Sequence, residues 1–297
     1  MSLVHYTNCP VCNSTEINPL LTVKDHSVSG EDFVIWQCAQ CTLRFTQNVP
    51  DQASIGPYYA SQAYISHSNT DKGLLNKLYQ KVRGYTLVQK AKLIISYTKK
   101  QGKVLDIGAG IGAFLSAMKR EGWEIQGIEP DAVARKNALN LFGLHLDQPA
   151  VLHNLNSNTY DAITLWHVLE HVHQLHDYIE QLKNLLTAEG KIFIAVPNYG
   201  SGDASVYKTY WAAYDVPRHL YHFNPKSIQK LVEQHSLKII AKKPMWFDSF
   251  YISLLSSKYQ SGKTSWISAG FNGLSSSLSA LLNKDKCSSI IYIIQKA

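Results

Sequence analysis

Lys103-Val104-Leu105-Asp106-Ile107-Gly108-Ala109-Gly110-Ile111-Gly112 is the stretch on which the fold of this chain turns. An apolar run that ends in an acid and then alternates three glycines suits a buried parallel strand. Its backbone can turn tightly there and let a bulky ligand come close. Trp123-Glu124-Ile125-Gln126-Gly127-Ile128-Glu129 follows. Its closing acid, about twenty residues after the glycines, stands at the tip of the next strand, where a carboxylate can accept hydrogen bonds from ribose hydroxyls. The pair predicts a nucleoside-cofactor site. Gly108-x-Gly110-x-x-Ala113 also fits the dinucleotide fingerprint with Ala in third place, so a nicotinamide cofactor competes on these residues alone.

Working outward, strands and helices alternate. A strand at 103–107 leads to a helix from about 112 to 121, a strand at 123–128 and a helix after Pro130. Tyr160 to Trp166 reads as another buried strand, 175–186 as a helix, and 190–197 as a strand closed by Pro197. Pro225 to His235 reads as a helix with Asn224 as its N-cap and Pro in the first turn. Late strands are expected at 238–242 and 289–294, separated by a Ser- and Leu-rich helical insertion at about 249–284. Such alternation implies right-handed crossovers and a parallel sheet. Apolar residues at helical spacing from Leu74 to Lys99 predict one or two helices leading into the glycine loop. Three parts result: a cysteine-rich module at 1–50, a connector and helices at 51–100, and the main domain at 101–297. In the insertion, Tyr251, Leu254, Leu255, Tyr259, Trp266, Ile267 and Phe271 suit a cap over an apolar acceptor site, the seam of a homodimer, or plain core packing.

The cysteines describe the first part. Cys9-Pro10-Val11-Cys12 and Cys38-Ala39-Gln40-Cys41 are two C-x-x-C pairs, each able to grip one edge of a metal ion. Together they offer tetrahedral thiolate coordination to a structural zinc, with free thiols or disulfides as the alternatives. Cys287, alone beside the last strand, reads as a core residue.

At 297 residues, with 45% hydrophobic and 17% charged residues, the chain has the composition of a globular protein with a large core. No stretch reaches the about 20 apolar residues of a membrane span, and no leader pattern opens the chain, so a cytoplasmic protein without a transmembrane helix is expected. Lys and Arg number 29 against 22 Asp and Glu, but they are dispersed, without the basic runs and interleaved aromatics of a nucleic-acid surface.

The motifs taken in order resemble the class I S-adenosylmethionine-dependent methyltransferases. Asp106 stands two residues before the glycine series, as in the first motif of that superfamily. Asp161 to Val172 looks like its fourth-strand motif, and Pro197-Asn198 through Asp215 to Phe223 is similar to a subgroup of small-molecule O- and C-methyltransferases. The resemblance implies a Rossmann-like seven-stranded α/β sheet, mostly parallel with an antiparallel late strand, beside a small N-terminal zinc-ribbon module. It further implies that Asp106, Gly108, Gly110 and Gly112 face the methionine part of S-adenosylmethionine, that Glu129 binds the ribose, and that Trp166 and His167 contact the cofactor. The adenine contact usual after the third strand finds no clean match in 147–158. Some sugar C-methyltransferases carry a cysteine-rich module over the acceptor pocket, which makes residues 1–50 an expected substrate-side lid.

The expected reaction is methyl transfer to the oxygen or carbon of a small acceptor, sugar, lipid or quinone-like. His219, His222 and Tyr221 precede the helix at 225, where the fold places its acceptor pocket; His219 is the expected general base, with Tyr210 or Trp211 packing against the acceptor. The alternatives are an NAD(P)-dependent oxidoreductase and a zinc-module binding protein that keeps affinity for the cofactor. His167-Val168-Leu169-Glu170-His171 also has the H-x-x-E-H spacing of a metallopeptidase. That chemistry needs both imidazoles on one helix face, and here His167 follows a strand. His173 and His176 read as surface or cap residues.

Overall fold

The structure, a computed structural model, describes residues 2–59, 74–98, 101–262 and 283–297. Five short strands open the chain: β1 (Leu3–Val4), β2 (Ile17–Lys24), β3 (Asp32–Cys38), β4 (Arg44–Thr46) and β5 (Val49–Pro50). A single helix, α1 (Leu74–Thr98), leads into β6 (Lys103–Ile107), α2 (Ala113–Arg120), β7 (Glu124–Ile128) and α3 (Ala132–Phe142). Next come β8 (Tyr160–Trp166), α4 (Leu175–Leu185), β9 (Leu186–Pro197) and α5 (Gly202–Tyr207). The chain closes with β10 (Tyr221–His222), α6 (Pro225–Glu233), β11 (Leu237–Pro244), α7 (Asp248–Ser261) and β12 (Ser289–Lys296). The first part of the expected insertion is therefore α7; Trp266, Ile267 and Phe271 lie outside the described residues, as does most of the expected connector. No described helix is long and apolar enough to cross a membrane.

The chain divides into two compact units. One is drawn from 65–166, 180–194 and 293–297, the other from 1–64, 167–179 and 195–292; β9 and β12 contribute residues to both.

The first unit carries the glycine loop. The sheet order is β11-β12-β9-β8-β6-β7, of which β8, β6 and β7 lie wholly in this unit. β6 lies parallel between β7 and β8, and the register sets Asp106 opposite Gly127 on one side and Thr164 on the other. Val104, Leu105, Ala162, Ile163, Ile192 and Phe193 are all fully buried, as strands covered on both faces must be. Six strands stand where seven were expected among the described residues. The missing edge is reduced to one parallel bridge, Ile128 to Asp147, because Pro149, which has no N–H to extend a ladder, starts a 3₁₀ turn over Pro149–Asn154. Helix boundaries follow local chemistry: the Asp131 carboxylate accepts from the N–H groups of Val133 and Ala134 at the start of α3, and Gly143 in left-handed backbone ends it.

The second unit holds the cysteines. Its antiparallel sheet has the order β10-β4-β3-β2, so Tyr221 and His222 close a sheet begun far upstream by pairing with Phe45 and Arg44. Val23, Phe33, Ile35, Tyr58, Trp211, Tyr214, Val216 and Ile252 form its apolar core. Within that core Arg218 is 1% exposed. Its guanidinium donates to Asp25 at 2.9 Å, to Asp215 at 2.7 Å and to the carbonyl of Tyr58 at 2.8 Å. Burial alone would push the Asp25 carboxyl up, yet Arg218 and the N–H groups of Ser29 and Ser27 hold it well below the usual carboxylate range. Asn224 caps α6 in a reciprocal box with Ser227, as its position before Pro225 predicted.

Candidate functional site

Two groups of functional side chains stand out, one in each unit, and each is described on its own.

In the first unit, Gly108, Gly110 and Gly112 all take positive φ, at 71°, 55° and 77°. The loop is fastened at its base by the N–H groups of Gly108 and Ala109, both donating to the carbonyl of Ile128. The Glu129 carboxylate, 6% exposed, accepts from the Gly110 N–H at 2.7 Å and from the Asp131 N–H at 2.9 Å. The acid at the tip of β7 and the middle glycine are therefore in direct contact, which fixes the carboxylate at the loop. Asp106 is 1% exposed and accepts from the Thr164 hydroxyl at 2.6 Å. Burial raises its carboxyl to about 7, against the lowering effects of Thr164 and the nearby Lys90 charge. A cationic ligand group is the partner such a carboxyl suits. Trp166, at the end of β8, packs edge-on to Phe114 with ring centroids 5.5 Å apart; its indole N–H is buried and has no hydrogen-bond partner. That orphan donor, the cradle of left-handed glycines and the two acids fit the donor and acceptor set of an adenosyl amino acid.

In the second unit, His167 takes φ 59° and its ring, 34% exposed, stands 2.9 Å from the Asp248 carboxylate and 3.5 Å from Glu170. Burial opposes a charge on this imidazole, but Asp248 and then Glu170 raise its pKa to about 10, so it is held as a cation. The ring that was expected at the cofactor is thus ion-paired with Asp248 at the start of α7. Leu169–His171 is one 3₁₀ turn and not an α-helix, which removes the metallopeptidase geometry. Glu170 is fully buried and neither of its oxygens has a hydrogen-bond partner; burial would raise its pKa, and the neighbouring cationic His167 is the largest influence lowering it.

His219, 9% exposed, faces this carboxylate. Its Nδ1 is 2.9 Å from the carbonyl of Ala213, which fixes the proton on Nδ1 and leaves the lone pair on Nε2. His171 is set the same way by the carbonyl of Arg218 at 2.9 Å, and burial lowers it to about 4, so it is neutral. One donor atom each of Glu170, His171 and His219 lies within 4.8 Å of the other two, a set able to hold a divalent cation.

The other two expected catalytic residues stand elsewhere. His222 is buried behind β10 with Nε2 at 3.1 Å from the Thr46 hydroxyl, and burial keeps it neutral. Tyr221 donates to the carbonyl of His173 and meets Tyr6, and burial pushes its phenol far above the usual range. Tyr221 and His222 are both buried strand residues, 1% and 3% exposed, and the structure does not bring them together with His219 and Glu170 in the set of candidate ligands. Tyr210 is exposed, and Trp211 is a core residue bonded to Asp203. His176 pairs with His235 at 2.8 Å.

Cys9, Cys12, Cys38 and Cys41 converge, with all four sulfurs within 4.8 Å of one another. Asn13 and Thr42, each just past the second cysteine of its pair, take left-handed backbone and close the two knuckles alike. The sulfurs stand 3.4 Å (Cys9, Cys41) and 3.5 Å (Cys12, Cys38) apart and are free thiols, not disulfides. These spacings are near the about 3.8 Å edge of a tetrahedron with about 2.3 Å zinc–sulfur bonds.

A buried acid beside a glycine loop, with a second acid bonded to that loop, is a nucleoside-cofactor architecture, and the comparison with known families narrows it. The chain belongs to the family described as Methyltransferase domain, which it matches over residues 79–242. Among relatives, it is 34% identical over 129 residues to a ubiquinone biosynthesis O-methyltransferase of Pasteurella multocida, covering 36% of this chain and 53% of that one. A protein of the same description from Glaesserella parasuis is 36% identical over 107 residues, covering 32% of this chain and 45% of that one. The match thus spans about half the length of these relatives. In fold, the PH0226 protein from Pyrococcus horikoshii superposes with TM-score 0.51 at 11% identity, over 81% of this chain and 98% of that one. With the family in hand, the dinucleotide reading of the same glycines gives way.

Proposed function

We propose that this protein transfers a methyl group from S-adenosylmethionine to a small-molecule acceptor in the cytoplasm. The observation that carries the reading is the Asp106, Gly110 and Glu129 cluster inside the family-matched stretch, with Glu129 2.7 Å from the Gly110 N–H. Asp106 is the counter-charge for the cofactor's ammonium, Glu129 the acceptor for its ribose hydroxyls, and Gly108, Gly110 and Gly112 the close backbone. When bound, the cofactor supplies an electrophilic methyl group, and the protein contributes position and exclusion of water. Similarity to the ubiquinone O-methyltransferases supports a quinone-like, phenolic acceptor ahead of a sugar or lipid. A phenol must lose its proton as the bond forms, and His219, with its lone pair on Nε2, is the base we assign.

A second reading of His219 has its own observation: with Glu170 and His171 it forms a set able to ligate a divalent cation, which would acidify a hydroxyl in place of a base. The four cysteines hold a structural zinc in this proposal. Calorimetry with S-adenosylmethionine, S-adenosylhomocysteine and NADH tests the cofactor: micromolar binding of the first two with none of NADH is expected, and binding of NADH alone would overturn the reading. A screen of phenolic acceptors, with and without chelator, then separates base from metal. His219→Ala with unchanged turnover on its true acceptor would remove both roles. Removing residues 1–50 is not a usable test of the lid role, because Asp25 and β4 are built into the second unit's core; Cys38→Ser serves instead.

A further inference from the structure

Within the second unit, β4 starts at Arg44, just after the second cysteine pair, and ends at Thr46, which is fully buried. Thr46 is bonded at two points to the segment that carries His219. Its N–H donates to the carbonyl of Leu220 at 2.9 Å, and its hydroxyl donates to the carbonyl of His219 at 2.8 Å. A carbonyl only accepts, so the one hydroxyl hydrogen of Thr46 is committed to His219. The Thr46 oxygen is then an acceptor for His222, whose Nε2 stands 3.1 Å away and must carry the proton. That leaves the His222 lone pair on Nδ1, a buried atom without a partner. The N–H groups of the segment are tied as well, His219 to the carbonyl of Asp215 at 3.0 Å and Leu220 to the carbonyl of Glu170 at 2.8 Å. With Nδ1 on the carbonyl of Ala213, every polar atom of His219 except Nε2 is hydrogen-bonded.

We propose that Thr46 is a positioning residue for His219, with His222 orienting its hydroxyl, so that the strand following the cysteine pairs sets where the base stands. The proposal rests on the assignment of His219 as base given above. A base works only within about 2.6–3.2 Å of the proton it takes, and a displacement of about 1 Å can cost about a hundredfold in rate. A bracket on the backbone that carries the ring therefore acts on turnover and not on cofactor affinity. His222, expected as a catalytic group, acts through Thr46 instead. The cysteine-bearing sheet gains a part in turnover that needs no contact with the acceptor.

The test follows the full chain by methylation of catechol, a simple phenolic acceptor, and by side-chain ¹⁵N NMR of the histidines. Thr46→Val, which keeps the shape and removes the hydroxyl, is expected to lower kcat by about tenfold to a hundredfold while leaving the KM for S-adenosylmethionine and the affinity for S-adenosylhomocysteine within about twofold. Thr46→Ser restores the hydroxyl and is expected to keep at least about half of kcat. In a His219→Ala background, Thr46→Val should change kcat by less than about twofold, because its effect runs through that residue. The spectra should show His222 protonated on Nε2 in the wild type and the His219 signals displaced in Thr46→Val. Unchanged kcat in Thr46→Val, Thr46→Ser as slow as Thr46→Val, a full further loss in the His219→Ala background, or a His222 protonated on Nδ1 would each overturn the proposal. A fall in S-adenosylhomocysteine affinity as large as the fall in kcat would make Thr46 a merely structural residue and overturn it too. His219→Ala with unchanged kcat fails the base assignment itself, a result distinct from a silent Thr46→Val. If the wild type leaves catechol unmethylated, the phenolic reading fails and the spectra decide alone, with undisplaced His219 signals in Thr46→Val overturning the bracket.

Discussion

Asp106 is a carboxyl that burial has tuned to the edge of neutrality, at about 7. Its folded-state pKa is raised, so the native state holds a proton that the unfolded chain releases, and this contribution to stability fades as pH rises from about 4 to 7. Ligand binding runs the other way: a cationic partner needs the ionised acid. Affinity for S-adenosylhomocysteine should therefore weaken by up to about tenfold per pH unit below 7, with proton release seen as a buffer-dependent binding enthalpy. Thr164→Val removes the 2.6 Å bond that favours the ionised form and should shift that midpoint upward. Gly127 is a different kind of constraint. A Cβ there would stand 2.4 Å from Leu115 and 2.6 Å from Leu146, so Gly127→Ala should cost about 1–3 kcal/mol in urea denaturation. At this scale the glycines and the two acids were legible because their chemistry is local. Glu170 and Arg218 were not: each lies in a quoted motif, but its meaning depends on partners as distant as Asp25, 193 residues from Arg218.

Among elements, β6, β8 and α6 were read from sequence almost to the residue, because each is an apolar run bounded by its own stop or cap: glycines after β6, Asn224 and Pro225 before α6. β10 was read as a loop. Two residues are too short for periodicity to register, and what makes them a strand is the free edge of β4. That pairing explains why the expected catalytic Tyr221 and His222 point into packing. It also makes Arg218 the tie beneath the sheet. Arg218→Met would leave Asp25 buried without its cation and should cost about 3–5 kcal/mol, measured by chemical denaturation, while leaving S-adenosylhomocysteine affinity at 25 °C unchanged.

On the scale of the molecule, the cysteine cluster and the glycine loop fall in different units, which predicts separable responses. Stripping metal with a chelator, or Cys38→Ser, should abolish a stoichiometry of about one zinc per chain and lower the melting temperature. It should leave S-adenosylhomocysteine affinity within about twofold, because the residues proposed to bind the cofactor belong to the other unit. Metal analysis, scanning calorimetry and ligand titration on the same sample check all three. Parallel βα alternation announced the large sheet from sequence, whereas the division into units did not show, since each is assembled from three stretches of chain.

The pairing of β4 with β10 also fixes an order of birth. Translation delivers the cysteines, Asp25 and β4 first, and the ribosome must then add the whole glycine-loop region before Arg218 and the strand at Tyr221 emerge. During that interval the nascent N-terminal sheet has its β2–β3–β4 ladders but an open edge at β4 and a carboxylate awaiting its guanidinium, so this segment completes its pairing only when the residues around Arg218 and Tyr221 arrive.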